Sequence, residues 1–262
     1  AVQQIKDRFE NRETVKGITT GYTRLDEFLG GWTPKRVYIL SAASGRGKSA
    51  MALNFMNAAI KDNANVVYIS LEMDAVDLAK RLISIRSSIN GTSMLSGNLN
   101  HSEIENMLHG VKSFSAQKSK SIILDKSGLS IGEITSELRK IHNNQTIDLL
   151  MVDYLQLVRG EKSYSREREV ASISASLIDI SKMFSCPIIA LSQINDQGQI
   201  RESRSVENDA TAVMRIDYVD PENASEELAP DVWLKVLKNR HGPTGSIPMT
   251  FIKTTQTFAI RR

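Results

Sequence analysis

The chain has 262 residues, enough for one large domain or two small ones, and its 41% hydrophobic residues provide for a sizeable core, which excludes a largely disordered protein. The 33 lysine and arginine residues barely outnumber the 30 acidic residues, so any anionic partner must be bound by local groups rather than by overall charge. A single cysteine, Cys186, excludes a disulfide framework and a thiol metal cluster, and neither an N-terminal signal sequence nor a run of about 18 apolar residues is recognisable. We therefore expect a cytoplasmic protein that does not contact a membrane.

The first 16 residues predict a short amphipathic helix followed by a linker. Val2, Ile5 and Phe9 recur at helical spacing among charged neighbours. Because so short a helix has no core of its own to join, we expect it to dock either on its own domain or on another subunit. The chain is accordingly divided into a linker segment, residues 1–16, and one domain, residues 17–262.

Beyond residue 36, apolar runs alternate with helical patterns, which predicts an α/β fold with a mainly parallel central sheet and right-handed crossovers. Strands buried on both faces are predicted at residues 37–41, 66–70, 122–125, 147–153 and 187–192. Helices are predicted at residues 49–61, 74–89, 102–113, 131–142 and 165–184. Past residue 212 only strands are predicted, at residues 213–218, 232–237, 246–252 and 257–261, and we expect them to extend the sheet as antiparallel hairpins. The acidic segment 220–231 predicts a surface loop.

A glycine-rich segment separates the strand at residues 37–41 from the helix that follows. It reads Ala-Ala-Ser-Gly-Arg-Gly-Lys-Ser over residues 42–49, a Walker A phosphate-binding loop in which alanine replaces the first glycine. Gly45 and Gly47 allow backbone N–H groups to face phosphate oxygens, while Lys48 reaches the β and γ phosphates and the Ser49 hydroxyl binds Mg²⁺. The sequence therefore predicts a site for ATP, or another nucleoside triphosphate, with Mg²⁺. The residues assigned to nucleotide binding are Ser44, Gly45, Arg46, Gly47, Lys48, Ser49 and Ala50.

Three polar residues stand at the carboxyl ends of apolar strands, the edge where open parallel sheets bind ligands. Asp153 ends the strand at 147–153 and suits an outer-shell Mg²⁺ ligand that acts through water. Glu72 follows the strand at 66–70 and can orient and deprotonate an attacking water. The uncharged amide of Gln193 can donate to a γ-phosphate, and this hydrogen bond is lost when the γ-phosphate is removed. We therefore predict nucleotide hydrolysis at this edge, with Lys48, Glu72 and Gln193 as catalytic residues and Ser49 and Asp153 as metal ligands.

Four ordered motifs resemble those of DnaB-type replicative DNA helicases. They read Ser-Leu-Glu-Met at 70–73, Met-Val-Asp-Tyr-Leu-Gln-Leu at 151–157, Ala-Leu-Ser-Gln-Ile-Asn at 190–195 and Lys-Asn-Arg-His-Gly-Pro-Thr-Gly at 238–245. The resemblance covers roughly residues 17–260 and extends to the alanine that opens the phosphate loop. It implies a RecA-like ATPase core of bacterial or phage origin that assembles as a hexameric ring, translocates on single-stranded DNA and unwinds duplex.

The same resemblance implies roles for residues that the spacing alone leaves open. Lys238 and Arg240 are expected to reach the nucleotide of the neighbouring subunit, with Arg240 as an arginine finger that stabilises charge on the transferred phosphoryl group. The helix at residues 2–9 is expected to pack on an adjacent subunit. A primase and a helicase loader are implied as partners.

The resemblance places two DNA-binding loops at residues 159–168 and 196–205. Both are nearly charge-balanced, so one subunit is expected to bind DNA weakly, whereas a ring presents each loop six times. Departures from the family pattern affect the DNA loops more than the nucleotide site: the second loop is short, Thr211 stands where aspartate is usual and His241 replaces asparagine. The residues assigned to DNA binding are Arg159, Lys162, Arg166, Arg201 and Arg204.

Two other functions share part of this pattern. A RecA- or RadA-like recombinase has the phosphate loop and the glutamine at the end of the strand, but the motifs at 151–157 and 238–245 argue against it. A non-catalytic, nucleotide-gated assembly module requires an inactive site, yet each catalytic position carries a competent residue. If the protein forms rings rather than filaments on single-stranded DNA, the recombinase is excluded. If its nucleotide hydrolysis is coupled to DNA, the assembly module is excluded.

Overall fold

One nine-stranded sheet organises the protein in a computed structural model that describes residues 17–159, 166–194, 204–222 and 228–261. Its strands are β1 (Val37–Ala42), β2 (Val66–Ser70), β3 (Ile122–Asp125), β4 (Leu149–Asp153), β5 (Ile188–Gln193), β6 (Ala212–Tyr218), β7 (Asp231–Asn239), β8 (Gly245–Ile252) and β9 (Thr257–Ile260). Its α-helices are α1 (Thr23–Leu29), α2 (Lys48–Lys61), α3 (Ala75–Ser87), α4 (Gly91–Ser96), α5 (His101–Ser115), α6 (Ile131–His142), α7 (Arg166–Met183) and α8 (Arg204–Asp209).

The strand order is β3-β2-β4-β5-β1-β6-β7-β8-β9. The first six strands in this order run parallel, and β7, β8 and β9 each pair antiparallel with the strand before them. Ala42 lies beside Gln193, and Ser70 lies beside Asp153. The carboxyl ends of β1, β5, β4 and β2 therefore meet at one edge, which is the ligand-binding edge of an open parallel sheet.

The two faces of the sheet bury separate apolar clusters because successive side chains of a strand point to opposite sides. On β1, Tyr38 and Leu40 join the cluster formed with α1, α2 and α3, whereas Ile39 joins the cluster formed with α6, α7 and α8. Burial of β1, β2 and β4 is complete along their whole length, as expected for strands covered on both faces. The ligand-binding edge thus stands on strands that are buried along their whole length.

Local sequence explains where several helices begin. Asn100 and Glu103 form a capping box at the start of α5, and Ser130 and Glu133 form another at the start of α6. The apolar spacing that predicts α7 is confirmed, since the five residues that define it are buried: Val170, Ile173, Leu177 and Ile180 within the helix and Phe184 directly after it. Among the described helices, none is both long and apolar enough to cross a bilayer.

The predicted α/β fold is confirmed, with three differences. Strand β3 is not buried on both faces, because it is the edge strand and its residues are half-buried or exposed. Strand β6 is parallel to β1, so the antiparallel extension begins only at β7. The short helices α1, α4 and α8 have no counterpart in the sequence prediction, since six or seven residues give too little periodicity. The predicted linker helix at residues 2–9 lies outside the described residues.

Candidate active site

The loop between β1 and α2 has the backbone conformation that its two glycines predict. Gly45 has φ +70° and Gly47 has φ +80°, both in the left-handed region that other residues adopt only with strain. A Cβ at Gly45 would meet nothing within 4 Å, so the outer side of the loop is open to a ligand. A Cβ at Gly47 would lie 3.0 Å from the Phe258 ring and 3.1 Å from that of Phe251. The loop therefore rests on this aromatic pair, whose rings stack at 4.3 Å.

Residues of the loop line a cleft of about 380 Å³, and all those assigned to nucleotide binding line it except Arg46. The Arg46 guanidinium instead donates to the Pro221 carbonyl at 2.9 Å and lies over the Tyr218 ring. Only its backbone thus belongs to the phosphate loop, while its side chain ties the loop to the end of β6.

Lys48 extends from the start of α2 across the sheet edge, with its Nζ 4.4 Å from the centre of the Tyr154 ring. Burial lowers the pKa of Lys48, whereas the negative charges of Asp153 and Glu72 act in the opposite direction. These two carboxylates therefore lie near the lysine cation. Lys48 also lines the cleft formed by the loop.

Tyr68 on β2 lies beside both predicted metal ligands, Ser49 and Asp153. The Tyr68 hydroxyl donates to Oδ2 of Asp153 at 2.7 Å. Burial and the Asp153 charge raise the pKa of Tyr68, and the nearby Ser49 side chain acts in the opposite direction. Asp153 is fully buried, and its Oδ1 has no hydrogen-bond partner among the described residues. A buried carboxylate oxygen is costly without a partner, and a water bound to Mg²⁺ would supply one. The donor set therefore fits the metal predicted for this position.

Hydrogen bonds of neighbouring residues hold the chain at Glu72 and Gln193 beside the cleft. The Leu71 N–H donates to the Asp153 carbonyl at 2.8 Å, and a Ser70–Met73 turn fixes the chain on either side of Glu72. The Gln156 amide donates to the Ser192 hydroxyl at 3.0 Å and to the Gln193 carbonyl at 3.2 Å. The side chains of Glu72 and Gln193 both line the cleft with Lys48. The structure thus brings the three predicted cis-acting residues together.

Other polar residues at the cleft were missed from the sequence. Arg81 reaches it from α3, and Lys253 and Gln256 reach it from the turn between β8 and β9. This turn is held by Asn54, whose amide donates to the Gln256 carbonyl at 2.8 Å. A second cleft of about 260 Å³, lined by the same three residues and by α4, lies next to the first. Local sequence gives no signal for Lys253 and Gln256, because pairing across the sheet brings them from the far end of the chain.

Lys238 and Arg240 lie at the opposite edge of the sheet from this cleft. The Arg240 N–H donates to the Thr211 carbonyl, and the Thr211 N–H donates to the Val37 carbonyl, at the start of β1. The phosphate loop follows the other end of β1, about 16 Å away at 3.3 Å per residue. The backbone that carries the two cations therefore lies at the end of β1 away from the phosphate loop.

Both cations contact the carboxyl end of helix α8. Lys238 Nζ donates to the carbonyls of Glu207 at 2.6 Å and Asn208 at 2.8 Å, and the Arg240 guanidinium also donates to Asn208. Cations complement the negative end of a helix dipole, so the contacts orient these side chains. Burial lowers the pKa of Lys238, and Arg240 lowers it further, against the charges of Asp209 and Glu207.

The residues predicted to bind DNA are only partly described. Arg159 is exposed and forms an ion pair with Glu133 at 3.2 Å. An exposed pair contributes little free energy, so the guanidinium can exchange this partner for a phosphate. Arg166 and Arg204 begin helices α7 and α8, and Lys162 and Arg201 lie outside the described residues.

The sequence and the fold both match known proteins. Residues 17–260 match the family model of the DnaB-like helicase C-terminal domain. The chain is 32% identical to the replicative DNA helicase DnaC of Bacillus subtilis, covering 98% of this chain and 62% of that protein, and 34% identical to DnaB of Haemophilus influenzae, covering 94% and 56%. The chain thus spans little more than half the length of these relatives.

Solved structures agree with the sequence match. An ATPase domain of known structure superposes with a TM-score of 0.89 at 25% identity, covering 100% of this chain and 97% of that one. A DnaB-like replicative helicase, studied for its interactions with primase, superposes with a TM-score of 0.87 at 25% identity, covering 100% and 68%. With the phosphate loop, the carboxylates and the sheet order already in place, these matches show that the chain belongs to the family of DnaB-like helicase C-terminal domains.

Proposed function

We propose that this chain is the motor of a replicative DNA helicase, which hydrolyses ATP to translocate on single-stranded DNA and unwind duplex as a hexameric ring. The observation that carries the proposal is the division of the catalytic groups between two edges of one sheet. Lys48, Glu72 and Gln193 line the phosphate cleft, whereas Arg240 lies at the other end of β1. A site divided in this way is complete only between two subunits.

Within one subunit, the loop binds and orients the nucleotide. Backbone N–H groups at the start of α2 and the Lys48 cation hold the phosphates. Ser49 would hold Mg²⁺ directly and Asp153 would hold it through water, and the ion would neutralise charge developing on the phosphates. Glu72 orients the attacking water and accepts its proton, while the Gln193 amide contacts the γ-phosphate.

Across the subunit boundary, Arg240 supplies a permanently charged guanidinium to the transferred phosphoryl group. Arginine fingers contribute about 10³- to 10⁵-fold in rate in other phosphoryl-transfer systems. Lys238 adds a second cation from the same edge. Hydrolysis therefore depends on assembly, and each subunit contributes both a nucleotide cleft and a finger.

The segments that follow β4 and β5 couple nucleotide hydrolysis to DNA binding. Residues 159–168 come shortly after Asp153, and residues 196–205 come shortly after Gln193, so a change at the γ-phosphate acts on both strands that lead to these loops. The proposed contacts are Arg159, Lys162 and Arg166 in the first loop and Arg201 and Arg204 in the second. Six copies in a ring would add weak phosphate contacts along the strand.

Assembly also involves the segment before the domain. We propose that Val2, Ile5 and Phe9 form one face of a helix that docks on the neighbouring subunit. Helix α5 is a suitable acceptor, because Ile104, Leu108 and Val111 leave an exposed apolar stripe along it. A primase, a helicase loader and a cytoplasmic location in a bacterium or a phage-infected cell belong to the same proposal.

Replacement of the loop lysine tests the nucleotide site. Lys48→Ala removes the cation from the phosphates, and we expect it to abolish ATP turnover in a steady-state phosphate-release assay. Lys61→Ala, at the other end of the same helix, is the matched control and should retain turnover. Turnover that persists in Lys48→Ala would refute the assignment of the site.

A further inference from the structure

We propose that Tyr68 is a positioning residue for the magnesium ion, holding the Asp153 carboxylate in the orientation that receives it. This inference rests on the proposed function, which assigns Ser49 and Asp153 to Mg²⁺. Tyr68 itself touches neither nucleotide nor metal in the proposal. It acts on the metal site only through Asp153.

The geometry places one phenol oxygen directly against a predicted metal ligand. Tyr68 is fully buried in the middle of β2, and its hydroxyl donates to Oδ2 of Asp153 on the adjacent strand β4 at 2.7 Å. Ser49, on the first turn of α2, lies near enough to lower the pKa of Tyr68. The hydroxyl is therefore a fixed partner of the carboxylate, at the side of the site where the phosphate-loop helix begins.

Fixing one carboxylate oxygen determines the direction of the other. Because Oδ2 of Asp153 is bound to Tyr68, rotation of the carboxylate is restricted and Oδ1 is presented to its surroundings. Oδ1 is buried without a partner among the described residues. Hydrogen bonds of this kind commonly orient metal ligands, and removing one typically weakens metal affinity about 10- to 100-fold.

The nature of the residue supports a role beyond packing. Its neighbours on β2 are Val67 and Ile69, and a third aliphatic side chain would fill a strand buried on both faces. A buried hydroxyl adds a polar group that must find a partner. Here the partner is a carboxylate of the candidate site, and the hydroxyl therefore links the core to the metal position.

Tyr68→Phe removes one oxygen and little else, and the fold offers a matched control. Tyr38 on β1 is also buried, and its hydroxyl accepts from the Thr33 N–H at 3.0 Å, near the opposite edge of the sheet. Tyr38→Phe thus deletes a buried, hydrogen-bonded hydroxyl without touching the metal ligands. Both variants are made in the full chain, and chemical denaturation in the absence of nucleotide reports their stability.

The measurement is binding of a fluorescent ADP analogue over a Mg²⁺ titration, which needs no turnover. For Tyr68→Phe we expect the half-saturating Mg²⁺ concentration to rise about 10-fold, while affinity for the analogue in EDTA stays within about 2-fold of the original. Tyr38→Phe should leave both values unchanged. An unchanged Mg²⁺ dependence in Tyr68→Phe, or an equal loss of affinity with and without Mg²⁺, would overturn the inference.

A double variant tests whether Tyr68 acts through Asp153. In the Asp153→Ala background, adding Tyr68→Phe should change the Mg²⁺ dependence by less than about 2-fold, because the carboxylate through which Tyr68 acts is already gone. Full additivity of the two substitutions would contradict the inference. If the original chain binds the analogue independently of Mg²⁺, the assignment of Ser49 and Asp153 fails as well. A normal Mg²⁺ dependence that is insensitive to Tyr68→Phe overturns this inference alone.

Discussion

The two glycines of the phosphate loop make a paired prediction about stability. Both have left-handed backbone angles, with φ +70° at Gly45 and +80° at Gly47, so an alanine at either position carries a backbone strain of about 1 kcal/mol. They differ in what surrounds them. A Cβ at position 45 meets nothing within 4 Å, whereas a Cβ at position 47 would lie 3.0 Å from Phe258 and 3.1 Å from Phe251.

The distances to these two rings determine how much the free energy of unfolding changes in each variant. Phe251 and Phe258 are buried and stack on each other, so they have little room to move, and crowding of this kind costs about 1–3 kcal/mol. We therefore expect Gly47→Ala to lower the free energy of unfolding by about 2–4 kcal/mol. Gly45→Ala should lower it by about 1 kcal/mol or less, since a more restricted unfolded chain offsets part of the strain.

Urea denaturation without nucleotide, followed by tryptophan fluorescence, measures both free energies. The fully buried Trp32 provides a signal from the core cluster that contains both phenylalanines. Equal losses in the two variants, or a loss below about 1 kcal/mol in Gly47→Ala, would refute the view that the loop rests on the aromatic pair.

The remaining predictions concern assembly and reactivity. Arg240→Ala should keep nucleotide binding but lower ATP turnover at least 100-fold. When this variant is mixed with unmodified protein, phosphate release should fall by more than the mole fraction of the variant. A strictly proportional loss of phosphate release would contradict a finger acting in trans. Deleting residues 1–12 should lower the oligomer mass in sedimentation, as should Leu108→Asn on α5, and an unchanged mass in both would refute the docking. Burial raises the pKa of Cys186 to about 12. A thiol reagent at pH 8 should therefore label the native protein at least 1,000-fold more slowly than the unfolded chain. Rapid labelling of the native protein would contradict this burial.

The catalytic edge of the fold could be predicted because its signals are local. Asp153 and Gln193 each end a buried apolar run, and parallel strands bring their carboxyl ends to one edge whatever the strand order. Glu72 follows from the same rule, although one residue, Leu71, separates it from the end of β2. The register of Ser70 with Asp153 and of Ala42 with Gln193 gives this prediction its structural basis.

Features that depend on distant pairing could not be predicted. Lys253 and Gln256 reach the cleft only because β8 and β9 fold back along α2, where Asn54 holds their turn. The Arg46 side chain leaves the cleft because Tyr218 and Pro221, at the end of β6, offer it a ring and a carbonyl. Similarly, the direction of β6 depends on its pairing with β1, which apolar spacing does not encode.

Turnover of ATP per subunit, measured across protein concentration with and without single-stranded DNA, tests the central claim most directly. A site divided between the phosphate cleft and Arg240 of a neighbour predicts that turnover per subunit rises steeply with concentration and rises again when DNA is added. Turnover per subunit that is independent of concentration and indifferent to DNA would contradict a nucleotide site assembled in trans and coupled to a DNA channel.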